Sequence, residues 1–149
     1  MRAVVTRVAG AEVRIAGAIY SKIESGLLVL LGSQEGDTDQ DIRYICEKVC
    51  GLRIFEDAEG KMNLSIREVG GEILLVSQFT LLGDARKGKR PSFIRAGVPA
   101  QAQEIYDRAV QAFCDTGIPI RTGVFQAHMQ VQSVNDGPVT ILLDSRKLF

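Results

Sequence analysis

The sequence has no tryptophan, one histidine and three cysteines, and each shortage closes off a class of chemistry. With His128 as the lone imidazole, no site needing two or three histidines from one chain can be built. Neither a His-x-x-x-His nor a Glu-x-x-His pair is present, which disfavours a zinc hydrolase. Cys46, Cys50 and Cys114 make an odd set, arguing against a disulfide framework and for a reducing compartment. Cys46 and Cys50 fall on one face of a helix and read as two small buried hydrophobes, because no further Cys or His completes a metal set. The longest purely apolar run, residues 27–31, is far short of the roughly 18 residues that a membrane span requires. Net charge is absent too: Lys plus Arg and Asp plus Glu both number 18. Recognition of a polyanion by global charge is therefore disfavoured, whereas a local basic patch stays open. Residues 1–8 alternate like a strand, without a signal peptide's apolar block. The expectation is a soluble cytoplasmic protein with no membrane contact.

What is present suits one globular domain spanning residues 1–149, with 46% hydrophobic and 24% charged residues. Residues 2–8, 11–15 and 18–23 read as short strands parted by turn residues such as Gly10 and Gly17. Residues 26–31 form an unbroken apolar run, as in a strand covered on both faces. A helix follows, capped by Asp37 or Thr38, with Ile42, Ile45, Cys46 and Val49 at helical spacing and Gly51 as a stop. Residues 52–55 and 72–77 read as strands, and 78–98 as a long irregular stretch, a length that often signals function. The second helix starts near Pro99, carries Ala102, Ile105, Tyr106, Ala109 and Phe113 on one face, and ends at Gly117. Strands near 118–122, 124–134 and 139–143 close the chain. The fold class is α/β: a single compact domain with a curved, barrel-like sheet and two main helices.

Four features could carry chemistry. His128 lies in an alternating segment, on the side of Gln126 and Gln130, and reads as a solvated histidine on a strand's polar face. Without it, no Ser-His-Asp or Cys-His arrangement can be assembled. Arg86, Lys87, Lys89 and Arg90 crowd one glycine-containing loop. That loop is either a solvated segment or a phosphate contact, and such a concentration in a chain of zero net charge tips the reading toward a nucleic acid or nucleotide. Ser77, Gln78, Phe79 and Thr80 lead out of a buried strand into the long loop, where backbone N–H groups could stabilise an oxyanion. Asn135-Asp136-Gly137-Pro138 reads as a hairpin turn, although Pro138 spoils the simplest one and makes a rigid, side-chain-free ridge the other reading.

Two of these motifs, Ser77-Gln78-Phe79-Thr80-Leu81 and Asn135-Asp136-Gly137-Pro138-Val139-Thr140, make the chain resemble the D-aminoacyl-tRNA deacylases. Supporting segments are residues 26–32, 53–64 and 90–93, so the match runs over nearly the whole length; residues 144–149 lie outside it. The resemblance implies a homodimer with active sites at the subunit interface and a cis Gly137–Pro138 bond reaching into the partner's pocket beside Ser77–Thr80. Ala102 and Met129 would line that pocket, and Arg7, with Asn135 and Thr140 as further supports, would hold the Gly-Pro segment. The substrate would be tRNA esterified with a D-amino acid or glycine, cleaved without metal or cofactor, with the adenosine 2′-hydroxyl helping to activate water. Thr80 is a nucleophile in one scheme and a positioning residue in the other, and no base stands near it in sequence. The rivals are a non-catalytic RNA-binding module using the Arg86–Arg90 loop, and a metal-dependent esterase or nuclease drawing on Glu56, Asp57 and Glu59.

Overall fold

The structure, a computed structural model, describes residues 1–149. Its frame is the pairing of β1 (Arg2–Ile15), β2 (Ala18–Ile23) and β3 (Gly26–Gly32). β1 is one strand rather than the two expected. Gly10 does not break it, because β1 gives one edge to β3 along residues 2–8 and to β2 along residues 11–15. α1 (Asp39–Gly51) leads through a small hairpin, β4 (Phe55–Glu56) with β5 (Met62–Leu64), to β6 (Glu72–Ser77). β6 pairs parallel to β3, and α2 (Pro99–Cys114) then crosses to β7 (Ile120–Thr122), parallel to β6. The last strand, β8 (Gln130–Asp144), runs antiparallel along the other edge of β1. Ser21 Oγ on β2 donates to the Thr122 carbonyl on β7 at 2.8 Å, so the curled sheet nearly closes.

The apolar runs of β3 and β6 serve two cores. Leu27, Val29, Leu31, Ile73 and Leu75 face the helices, while Leu28, Leu74 and Val76 face the inside of the curl with Val8, Val13 and Ile23. α1 buries the expected Ile42, Ile45, Cys46 and Val49. Its cap is Thr38, whose N–H donates to Asp41 Oδ2 at 2.8 Å. Asp37, the other cap considered, is instead buried against the Met1 ammonium at 2.8 Å. α2 buries Ala102, Tyr106, Ala109 and Phe113 and ends at Cys114, short of Gly117.

Four further expectations are corrected. Residues 124–129 are irregular rather than strand, so His128 sits in a loop. Residues 135–138 are not a hairpin turn: β8 continues through them, and Thr140 pairs with Thr6 while Asn135 pairs with Val8. Residues 136–139 are thus extra chain opposite Arg7, a bulge in an unbroken strand. The Gly137–Pro138 bond within it is cis. Finally, the strand expected at 52–55 begins only at Phe55, and the stretch 78–98 opens with a 3-10 turn, Phe79–Leu82. No helix is long and apolar enough to cross a membrane.

The closest backbone approach in the frame is at the start of the β3–β6 pair. A Cβ on Gly26 would overlap the Glu72 carbonyl oxygen and lie 2.7 Å from its amide nitrogen, and backbone cannot yield as a side chain can. On Gly10 a Cβ would meet only the Ile23 carbonyl, at 3.6 Å. Gly26→Ala should therefore cost about 3 kcal/mol or more in urea unfolding, and Gly10→Ala should stay within about 1 kcal/mol of the parent. Equal losses at both positions would contradict this account.

Candidate active site

In open sheets with parallel strands, ligands collect beyond the carboxyl ends. Here β3 and β6 end side by side at Leu31 and Ser77, and the chain turns sharply after each. Gln78 donates its N–H to the Leu31 carbonyl at 2.7 Å, and the 3-10 turn Phe79–Leu82 follows at once. Gly32 lets that turn settle: a Cβ there would lie 2.7 Å from Leu82 Cδ2 and 2.8 Å from the Gln78 carbonyl oxygen. With Leu82 buried beneath it, the turn lifts Phe79 out, where its ring meets Phe93 edge-on at 5.2 Å.

A cavity of about 900 Å³ opens beside this turn. Ser77, Gln78 and Phe79 form one wall, Ala102 and Tyr106 of α2 a second, and Met129 a third. The structure therefore brings together five of the sequence-derived site residues: Ser77, Gln78, Phe79, Ala102 and Met129. Thr80 stands next to the cavity without lining it, and its Oγ1 is hydrogen-bonded to Gln78 Nε2. His128 is exposed at the rim. Tyr106 donates its hydroxyl to the Leu75 carbonyl at 2.8 Å, and burial raises its pKa, so it stays a neutral phenol. Sequence reading took Tyr106 as core and missed Phe93 and Phe125 as cavity walls; aromatic residues in and beside an otherwise polar loop were the available signal.

Gly137, Pro138, Asn135, Thr140 and Arg7 gather elsewhere. Val131 on β8 reaches the cavity wall, but Gly137 lies six residues further along, about 20 Å of extended strand. Arg7 is 5% exposed and organises the bulge: Nε donates to the Asp136 carbonyl at 3.1 Å and Nη1 to the Ile54 carbonyl at 2.7 Å. Gly137 has φ +125°, where a side chain is disfavoured, and a Cβ would come within 2.8 Å of Val139 Cγ2. Thr140 Oγ1 faces Thr6 Oγ1 at 3.4 Å, and Asn135 Oδ1 accepts from Ser133 Oγ at 3.0 Å.

The basic loop is pinned at its neck by reciprocal backbone bonds between Asp84 and Ser92, at 2.8 and 2.9 Å. Arg86 is engaged by Asp84 at 2.5 Å, and this guanidinium holds the carboxyl well below the usual carboxylate range. Lys87, Lys89 and Arg90 are exposed and take part in none of the chain's ion pairs. Asp57, considered as a metal ligand, accepts from Asn63 Nδ2 at 2.6 Å and from the Glu59 and Lys61 amides at 2.9 and 3.0 Å. It closes its own turn.

The Met129 wall depends on a glycine. Met129 Sδ accepts the Val124 N–H at 3.3 Å, and a Cβ on Gly123 would sit 2.7 Å from that sulfur. Because a thioether chain is flexible, Gly123→Ala should move Met129 rather than unfold the protein, narrowing the cavity at a stability cost of about 1 kcal/mol or less. A crystal structure of the variant checks this; an unmoved Met129 would contradict it.

A family model described as D-Tyr-tRNA(Tyr) deacylase matches residues 4–144. The D-aminoacyl-tRNA deacylase of Kosmotoga olearia is 60% identical over 149 residues, covering 100% of both chains. That of Desulfitobacterium hafniense is 56% identical over the same span. Among solved structures, a c-Myc DNA unwinding element binding protein superposes with a TM-score of 0.92 at 40% identity, over 97% of this chain and 98% of that one. With a full-length match in both sequence and fold, the chain belongs to the D-Tyr-tRNA(Tyr) deacylase family of hydrolases.

Proposed function

We propose that this protein hydrolyses the ester linking a D-amino acid, or glycine, to the 3′-terminal adenosine of tRNA, releasing free amino acid and tRNA. The observation that carries this reading is the cavity at the β3 and β6 ends, walled by Ser77, Gln78, Phe79, Ala102 and Met129. Its volume of about 900 Å³ lies toward the upper end of small-molecule sites, enough for a nucleoside with an aminoacyl group. An aminoacyl ester is already activated, so catalysis needs an oriented water and a place for the developing oxyanion. The amides of Phe79 and Thr80 open the 3-10 turn, where no earlier carbonyl of the turn can accept them, and preorganised N–H groups suit an oxyanion. The neighbouring 2′-hydroxyl of the adenosine helps to activate the water. Thr80 is a positioning residue: its hydroxyl is engaged by the Gln78 amide and is hydrogen-bonded to no titratable side chain.

Discrimination against L side chains belongs to Gly137 and Pro138. One chain cannot bring them to its own cavity, so the reading requires a second copy. β8 supports that: beyond β1 its other edge is unpaired, and Val134 and Leu142 on it are 66% and 57% exposed. An open edge strand with apolar side chains is a surface that proteins cover. In the homodimer each Gly-Pro bulge, braced by Arg7, enters the partner's cavity as a fixed obstacle. A steric obstacle rejects one configuration whatever the side chain, and glycine passes it. The reaction is placed in the cytoplasm, with charged tRNA. Release of amino acid from matched D-alanyl-, L-alanyl- and glycyl-tRNA tests this. D-alanine and glycine should be freed and L-alanine spared, and a 2′-deoxy terminal adenosine should slow release. Cleavage of L-alanyl-tRNA near the D rate would overturn the obstacle.

The free cations Lys87, Lys89 and Arg90 supply phosphate contacts to the tRNA, while Arg86 is engaged by Asp84. Replacing Lys87 and Lys89 by glutamine should weaken tRNA binding and flatten its logarithmic salt slope by about 1.5–2. The D-over-L preference should not change, because phosphate contacts position rather than specify. An unaltered slope in salt-titrated binding assays would leave the loop a solvated one.

A further inference from the structure

A 3-10 turn of four residues, Phe79–Leu82, has little stability of its own, yet donors for an oxyanion must be held to within about half an ångström. The turn is anchored at its start by Gln78 N–H on the Leu31 carbonyl, and from beneath by Leu82 against Gly32. Its far end runs into an exposed loop. There one side chain hydrogen-bonds to it: Arg2 Nη1 donates to the Leu81 carbonyl at 3.0 Å.

Everything around Arg2 fixes the direction of that bond. Its Nε donates to Asp144 Oδ2 at 2.9 Å, and the Asp144 side chain is 1% exposed. The second oxygen of Asp144 accepts the Arg146 N–H at 2.7 Å, so the carboxylate cannot swing away. The guanidinium carbon lies over the Phe149 ring, 5.7 Å from its centroid. The backbone of Arg2 pairs with Gly32 on one side and Asp144 on the other, so three strand ends meet beneath the turn. A planar guanidinium held along one edge by a fixed carboxylate presents its remaining N–H groups in a fixed direction. A cation against the last carbonyls also suits the electrostatics of a turn's carboxyl end.

We infer that Arg2, oriented by Asp144, is a positioning residue for ester hydrolysis: it clamps the carboxyl end of the 3-10 turn and thereby sets the amides of Phe79 and Thr80. The inference rests on the reading that those amides receive the oxyanion. It also gives residues 144–149, which carry no motif of their own, a part in the site through Asp144, Arg146 and Phe149.

The experiment uses Arg2→Lys and Arg2→Gln in the full chain. Lysine keeps a charge for Asp144 but cannot reach carboxylate and carbonyl together in the arginine's geometry. Both variants should lower kcat for D-alanyl-tRNA about tenfold with KM within about twofold, since an interaction acting only in the transition state is lost. Backbone amide exchange should accelerate at Leu81 and Gly83, whose N–H groups donate to the Gln78 and Thr80 carbonyls, and stay unchanged in α1, which general destabilisation would not produce. If Arg2→Gln fails to fold, Arg2→Lys carries both readouts. Parental kcat in a folded variant, a loss confined to KM, or exchange rising equally in α1 overturns the inference. Selective exchange with unchanged kcat would show that Arg2 holds the turn but that these amides are not the oxyanion site. That failure belongs to the catalytic reading, and the positioning role in hydrolysis falls with it.

Discussion

Strand β1 has one edge for β8 and another that β3 and β2 must share, and most of the architecture follows from that sharing. Residues 2–8 lie beside β3 and residues 11–15 beside β2, so the strand must change direction between them. The pairing with β8 registers the change, shifting between Thr6 and Val8 and again between Val8 and Gly10. On β8 residues 136–139 are extra length against β1, and a bulge of this kind bends and twists the strand that carries it. The Gly-Pro bulge lies just before that change of partner, opposite Arg7, whose side chain donates to the Asp136 carbonyl.

The parts legible in the sequence are those whose burial leaves an imprint on every residue. β3 and β6 read correctly because each is covered on two faces, so Leu27 to Leu31 and Ile73 to Val76 are apolar without alternation. α1 and α2 read correctly because only one side of each is buried. What misled was local turn chemistry. Gly10 and Asn135-Asp136-Gly137-Pro138 are turn signals in isolation, but pairing along both edges of β1 holds the first extended and converts the second into a bulge. At 124–129 the inward set Phe125, Ala127 and Met129 was legible as a pattern, although the chain there is irregular. Alternation reports which side chains face inward, and it does so without requiring a ladder of hydrogen bonds.

The site was legible only in pieces, for a different reason. Its shape rests on glycines that nothing in composition singles out: Gly32 under the 3-10 turn and Gly123 under Met129. Each matters through what a Cβ would strike, and that is known only once distant segments have been packed together. The cavity's titratable inventory is also sparse, with a rim histidine and a buried neutral tyrosine. Searching for perturbed acids and bases is therefore uninformative here, whereas the order of strand end, turn and loop is informative.

Such a site places its demands on geometry. On the proposed reading the substrate is an activated ester, so the chain need not supply a strong nucleophile, and rate depends on how well a few backbone amides are aimed. Aim is a property of the ends of the frame: Leu31, Gly32, Ser77 and Asp144 all terminate or nearly terminate strands around the turn. On the proposed reading, selectivity is separated from this machinery both in sequence and in subunit. The amides that accelerate belong to one copy and the obstacle that discriminates to the other. A lone subunit would retain its cavity and its turn but lose the Gly-Pro wall, because its own bulge lies some 20 Å of strand away from its own cavity. Stereochemical fidelity would then depend on the β8 edge being covered, which turns an aggregation-prone surface into the condition for rejecting L-amino acids.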